Sequence, residues 1–529
     1  MKAVAGNKNM KNFLEKFKKQ TTLTTQIIAV VGIVLVINFL SYQIFTRFDL
    51  TENKIYSISK TSKEAMRNLD DVVNIKVYFS QNLPPQYLNV RQEVKDILDE
   101  YQNYANNKLT VEFIDPQGDE KIQQELQSMG VPLLQFNVLA NDKYEVINGY
   151  IGMVVQYGDN KQPIPVVNSI ENLEYQLTSA IKKVTLAEIP TIVFATGHDE
   201  LKRDSDITFL DRKLSEIYAI KDVDLSAGTD IASDVKTLII AGPKITFSER
   251  QKYIIDQFIM RGGNVIFLVD GVNTNNKNLQ TTPNDTGLDT LLSAYGAQVE
   301  KYFVLDKQND RASFNQGFLT FSTEYPFFVR VTDSGLNQDN PAVAKLSNLV
   351  FPWASPLTVN TSFDNINVLA KTTADAWLMK EKFNLNPQGD FAYAPDAQTY
   401  DLAVARAGKI DSAFSAYIPQ NSEEGNHLST TPDSKIIIIG DSNFITDGFA
   451  RRYPDNLVFM QNIVDYTSLD SDLINIRAKE VSERPLTEVE SSRKATIKYF
   501  NVFGVTLLVL GFGLTRYYLR KKNKFADEL

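Results

Sequence analysis

The sequence predicts a mixed α/β body carried between two transmembrane helices, and three observations predict it. Uncharged stretches lie near both ends: Thr21–Thr46, with the apolar heart IIAVVGIVLVINFL, and Tyr499–Thr515, YFNVFGVTLLVLGFGLT. Between them, β-rich runs alternate with segments that are apolar at helical spacing. Some of these runs, such as TIVFAT and KIIIIG, are apolar throughout, the pattern of strands buried on both faces of a parallel sheet.

Each uncharged stretch is long enough to cross a hydrocarbon core of about 30 Å as a helix, the second near the short limit. The tail before the first holds six lysines and one glutamate, and the tail after the second holds five basic and two acidic residues. Short segments rich in Lys and Arg stay cytoplasmic. The expected topology therefore places both termini in the cytoplasm and the large body in the periplasm, at the cell inner membrane. The first span reads as an uncleaved anchor, because no A-x-A-like cleavage site follows it. The expected boundaries are a basic tail at 1–21, spans at 22–46 and 498–516, and periplasmic domains at 47–187 and 188–480. The second domain carries an insertion at 272–434; a linker occupies 481–497 and a basic tail 517–529.

The chain has a formal net charge of −9, and the two tails together carry +8, so the remainder holds −17. An acidic body argues against nucleic-acid binding, which favours a basic patch. Cysteine is absent and only His198 and His427 are present. That excludes disulfides, thiolate chemistry and Cys-rich or His-rich metal sites, and no cofactor is expected. No G-x-x-x-x-G-K-[ST] loop occurs, so ATP hydrolysis must belong to another polypeptide.

In the first domain, Ser59 or Thr61 caps a helix bearing Ala65, Met66 and Leu69. A strand follows at 72–80, then a helix at 87–105 with Val90, Val94, Ile97, Leu98 and Tyr101 at helical spacing. A strand at 109–116 leads to a helix at 120–130 that Gly130 stops. Residues 131–160 read as two strands joined at Asn141-Asp142, and 169–185 as an amphipathic helix. The order β-α-β-α-β-β-α is that of a thioredoxin-like domain, and Val131-Pro132 resembles that fold's cis-proline before its third strand. The CxxC is missing, since Ser80-Gln81-Asn82-Leu83-Pro84-Pro85 stands at the first strand–helix turn. Thiol–disulfide exchange is thereby ruled out.

In the second domain, strands at 189–200, 235–243, 264–271 and 435–444 alternate with helices at 207–218, 248–263 and 455–469. The stretch 272–434 is rich in Asn, Thr, Asp and Pro with aromatic islands, and its topology is not legible.

The run FDLTENKIYSISKTSKEAMRNLDDVVNIKVYFSQNLPP is similar to the opening of the GldG family, membrane-anchored auxiliary subunits of the gliding-motility ABC transporter of Bacteroidota. FIDP at 113–116, IPTIVFATGHDE, KIIIIGDSNF, IRAKEVSERPL and the closing apolar helix agree. The resemblance implies a GldF-like permease and a GldA-like cytoplasmic ATPase as partners. It also implies that the second domain is class I glutamine-amidotransferase-like, as in the GIFT domain shared with intraflagellar transport proteins. The catalytic Cys of that fold has no counterpart here.

Candidate site residues are few. Gly197, His198, Asp441 and Ser442 follow two of the apolar strands, and ligands in α/β folds bind beyond strand carboxyl ends. Gly440-Asp441-Ser442 is not G-x-S-x-G, and Asp270-Gly271 reads as a turn. Tyr325, Phe327, Phe328 and Trp353 are candidates for an exposed interaction patch, against the commoner fate of core packing. Gly504, Gly511 and Gly513 suit close packing of the second span on a permease helix. The expected function is a non-catalytic accessory subunit in contact with membrane lipid and cell-envelope partners. A periplasmic substrate- or glycan-binding protein and an anchored hydrolase using Ser442 or His198 are the alternatives.

Overall fold

The computed structural model describes residues 57–469 apart from 141–142, 171, 187–188, 276–277, 317–318, 345, 382, 390, 392–395 and 420–426. It also describes 474, 491–526 and the isolated positions 30, 32–34 and 36. The first expected span lies almost wholly outside the described residues. The chain divides into two compact units, Met1–Thr185 and Leu186–Leu529.

The first unit opens with α1 (Lys60–Arg67), whose cap is Ser59: its hydroxyl accepts the Ser62 amide at 3.2 Å. Then come β1 (Val73–Phe79), α2 (Pro85–Tyr104), β2 (Leu109–Ile114) and α3 (Glu120–Ser128). Next are β3 (Leu134–Ala140), β4 (Lys143–Gly149), β5 (Ile151–Tyr157), β6 (Asn160–Ile164) and α4 (Leu173–Thr185). One sheet has the order β2-β1-β5-β6, with β1 and β2 parallel and the other pairs antiparallel. Val94, Ile97, Leu98 and Tyr101 of α2 and Leu173, Leu177, Ile181 and Val184 of α4 pack into its core. A buried polar network ties three helices together: the Ser62 hydroxyl donates to Glu174 Oε1 at 2.7 Å, and the Tyr101 and Thr178 hydroxyls lie 2.6 Å apart.

Two expectations for this unit are corrected. Residues 131–160 hold three strands where two were expected: β3 and β4 lie on either side of 141–142, as the sequence suggested, but pair as a separate hairpin, while β5 joins β1 and β6 in the sheet. The hairpin shares the strand composition of its neighbours, so composition alone does not separate them. Val131-Pro132 is trans, since no cis peptide occurs among the described residues, and it precedes the hairpin.

The second unit is built on a nine-stranded sheet. Its first elements are β7 (Thr191–Thr196), α5 (Thr208–Ser215), β8 (Ala219–Asp224), β9 (Val235–Ala241), α6 (Glu249–Met260) and β10 (Asn264–Leu268). Ser248 and Gln251 close a capping box at the start of α6. The insertion contains β11 (Val272–Thr274), β12 (Thr281–Pro283), α7 (Asp289–Ala294), β13 (Ala297–Val299) and β14 (Phe303–Asp306). It continues with β15 (Asn309–Gln316), β16 (Leu319–Thr332), β17 (Asn348–Pro352), β18 (Leu357–Val359), β19 (Ile366–Lys371), β20 (Ala376–Met379) and β21 (Asp401–Asp411). β22 (Thr430–Ile439), α8 (Asp447–Arg452) and α9 (Pro454–Ser468) follow.

The sheet order is β13-β18-β21-β22-β10-β9-β7-β8, with β19 also paired to β21. β8, β7, β9, β10 and β22 are parallel, and the strands beyond β22 are antiparallel. The insertion is therefore not an appendage: four of its strands extend the main sheet. β16 pairs with β15 and β17 in a separate sheet over an aromatic core. Tyr325, Phe327, Phe328 and Trp353 belong to that core and are at most 5% exposed. They do not form the exposed patch considered from the sequence. Phe328 and Trp353 meet edge to face at 5.1 Å, a geometry aromatic pairs favour when buried.

At the C-terminal end, α10 (Ser491–Tyr499) runs through a π-helical turn at Phe500–Gly504 into α11 (Val505–Ala526). Among the described residues no single helix is long and apolar enough to cross a membrane. Arg493–Gly504 and Thr506–Leu519 together meet the length and composition test, with a bend of 41°. Gly504 backs onto the Phe500 ring, whereas Gly511 and Gly513 face open space.

Candidate functional site

β7 is followed by β8 on one side and then by β9 on the other, so the strand order reverses beside β7. In open α/β sheets, the carboxyl edge at such a reversal is where ligands bind. Four segments converge on that edge here: 197–204 after β7, Gly242 after β9, Asp270-Gly271 after β10, and Gly440-Asp441-Ser442-Asn443 after β22.

Asp441 and Ser442 are brought together with Asp270, which sequence reasoning took for a plain turn. The Ser442 amide donates to Asp270 Oδ1 at 2.7 Å and its hydroxyl to Oδ2 at 2.5 Å. The Asn443 amide donates to Asp441 Oδ1 at 2.7 Å, and its side-chain nitrogen lies 3.3 Å from Asp441 Oδ1 and 3.4 Å from Asp270 Oδ1. Asp441 Oδ2 is buried and has no partner. Burial, with the charge of Asp270 added, pushes the Asp441 carboxyl well above the usual carboxylate range. Burial also raises Asp270, against the pull of its Ser442 hydrogen bonds and of Lys244.

A segment of the insertion closes this corner. Ser355 Oγ accepts the Gly271 amide at 3.0 Å, and the Ser355 amide donates to the Gly440 carbonyl at 2.7 Å. A Cβ on Gly440 would overlap the Ser355 carbonyl oxygen, and one on Gly271 would overlap that of Glu300. Trp353, just ahead of the strap, holds a φ of 57°, in the left-handed region that only surrounding structure sustains for such a side chain. Ser442 is buried beneath this cover, with a carboxylate and no histidine as its hydroxyl partner. The arrangement suits a structural lock better than a nucleophile, which requires an accessible hydroxyl and a base.

Gly197 and His198 belong to a different cluster. The His198 ring stacks on Phe247 at 3.7 Å, its Nε2 lies 3.2 Å from Gln251 Oε1, and its amide donates to Glu200 Oε2 at 2.7 Å. Among the described residues no hydrogen bond joins His198 to Asp441 or Ser442. The four residues proposed from the sequence thus split into two groups. Only Gly197 lines the cleft of about 540 Å³ that opens at the carboxyl ends of β7 and β8. The charged residues of that cleft, Glu200 and Arg203 among them, were missed by sequence reasoning. The signal was present: HDELKRDSD is densely charged directly after an apolar strand.

Comparison with known proteins places this edge in a family. The profile described as an ABC-type uncharacterized transport system matches residues 189–468, and a domain of unknown function matches 52–156. An uncharacterized protein of Borreliella burgdorferi is 26% identical over 493 residues, covering 90% of this chain and 94% of that one. A solved structure described as the mmIFT52 N-terminal domain is 16% identical, with a TM-score of 0.33 over 52% of this chain and 96% of its own. An exo-beta-1,4-mannosidase from Opitutaceae bacterium strain TAV5 is 8% identical, with a TM-score of 0.25 over 72% of this chain and 50% of its own. Likenesses at these scores carry no weight for fold or function. The family match runs from just before β7 to the end of α9, more than half of the chain, and this protein therefore belongs to the ABC transporter auxiliary family.

Proposed function

We propose that the chain is a non-catalytic, membrane-anchored accessory subunit of an ABC transporter, of the GldG type. Membership of the auxiliary family implies association with an ABC transporter. The observation that carries the anchored reading is the exposed apolar ridge of the π-helical turn and α11. Phe500, Leu507, Leu508, Val509 and Phe512 are each at least 65% exposed, far more apolar surface than water favours. In this reading the ridge lies in lipid and packs on a GldF-like permease, and a GldA-like ATPase supplies the energy. The body lies in the periplasm, where it meets cell-envelope partners.

The sheet order β2-β1-β5-β6 supports reading the first unit as a thioredoxin-like module without its redox motif. The five parallel strands from β8 to β22 support an amidotransferase-like, GIFT-type ancestry for the second. The buried, strapped Ser442 favours an accessory role over an anchored hydrolase. Purification in mild detergent tests the reading: permease and ATPase are expected to co-purify with the full chain. Recovery of the chain alone, or its release from membranes by alkaline carbonate, counts against it.

A further inference from the structure

The strap at Ser355 shuts the sheet edge above β10 and β22 and leaves the β7–β8 side open, where the cleft of about 540 Å³ lies. Clefts of this size hold side-chain-sized to drug-sized ligands. Its lining includes five carboxylates, Asp199, Glu200, Asp204, Asp211 and Asp222, against the cations Lys202 and Arg203. We infer that the cleft binds an organic cation, an ammonium or guanidinium group, through Glu200 and Asp204.

The commitments of the other charges single out these two. Arg203 is spent within the chain: it forks onto Asp222 at 2.7 and 3.0 Å and reaches Asp211 at 2.6 Å. Asp199 faces Lys244 at 3.4 Å on the surface. Glu200 is different, because its side chain is only 2% exposed and its Oε2 is taken by the His198 amide. Its Oε1 has no hydrogen-bond partner; His198 Nδ1, which also has none, lies 3.6 Å from it, beyond hydrogen-bond reach. A buried carboxylate oxygen without a donor is costly, and an N–H group entering from the cleft removes that cost. Asp204 is exposed at the same wall and adds a second carboxylate of the right sign. Arg203 shows that the cleft accommodates a guanidinium, since its own lies 5.9 Å from the Phe194 ring, between carboxylates.

The inference stands apart from the anchoring and the partners proposed above. Its test is calorimetric titration of the full-length chain in mild detergent with spermidine and, separately, with acetyl-Gly-Arg-Gly amide. Binding of either, weakened by added salt, is expected. Spermidine binding identifies a free polyamine as the source, and peptide binding a basic side chain of a protein partner. Asp204→Asn, on the surface and neutral to folding, is expected to weaken binding about tenfold or more. Glu200→Gln keeps an acceptor for the His198 amide and is expected to do the same. The inference is overturned if neither probe binds at low millimolar concentration, or if both variants bind as tightly as the unaltered chain.

Discussion

Ser442 grips Asp270 with both of its donors, amide to Oδ1 at 2.7 Å and hydroxyl to Oδ2 at 2.5 Å, across 172 positions of sequence. The pair joins the ends of two parallel strands, β10 and β22, at the corner where the hydrolase alternative places its serine. Its geometry is that of a brace: both carboxylate oxygens are occupied and the hydroxyl faces no base other than the one it stabilises.

Ser442→Ala removes the hydroxyl and leaves Asp270 Oδ2 buried without its donor. A loss of about 1–3 kcal/mol is expected, read as a lower urea midpoint at unchanged slope. Transporter-dependent phenotypes should persist in cells grown well below the new melting temperature. A complete loss of phenotype with an undiminished melting temperature would point instead to a chemical role for Ser442.

The Asp441 carboxyl is raised by burial first and by the charge of Asp270 second. The folded state therefore holds its proton more tightly than the unfolded chain does. Its contribution to stability is complete below the ordinary carboxylate pKa of about 4 and is lost as pH rises through the elevated folded value. Asp270 is raised in the same direction. Asp441→Asn carries no titrating proton, so its stability should fall less steeply with rising pH above about 4. Thermal melts from acid to alkaline pH measure the two slopes, and identical slopes would refute the assignment.

Gly440→Ala forces a Cβ into the carbonyl oxygen of Ser355, a backbone atom with no room to yield. Overpacking of this kind costs about 1–3 kcal/mol. The expected reading is a lowered melting temperature together with faster hydrogen exchange at the Gly271 amide, which Ser355 Oγ holds. Ser355→Ala should expose the same amide without the steric strain.

Phe327 is fully buried and meets Phe303 at 5.7 Å. Phe327→Ala is expected to cost about 3–5 kcal/mol, the usual range for aromatic truncation in a core. An interaction-patch role predicts the reverse pattern, in which melting is unchanged and co-purification of partners is lost.

How much of this was legible in the sequence follows from burial. β7, β9, β10 and β22 each contain an uninterrupted apolar run, IVFA, LIIA, VIFL and IIII, that is buried on both faces, and each announces itself in the sequence by that run. α6 is bounded by its own chemistry, Ser248 at the cap and Gly262-Gly263 after its end. β8, by contrast, is an edge strand of half-exposed and exposed residues, AIKDVD, and its composition is that of a loop. The hairpin β3–β4 was read into the sheet because strand composition does not report which strand is the neighbour. The aromatic islands could be assigned neither to core nor to surface because the residues that bury them, Phe303, Trp377 and Phe449 among them, lie far along the chain. Asp270 was dismissed as a turn residue because its partner Ser442 is visible only once β10 and β22 are paired. His198 and Asp441 end different strands of the same sheet, and that shared edge suggested a proximity that side-chain direction denies.

The pairing of β10 with β22 also has a consequence for biogenesis. Val265 lies beside Ile436 in register, so the middle strand of the sheet finds its neighbour only after the whole insertion has been made. Until then β10 presents a bare apolar edge, the kind of surface on which nascent chains pair wrongly. Closing so long a loop is slow. A chain whose sheet stands half built for so long should therefore depend on chaperones, and shortening the insertion should shorten that vulnerable interval.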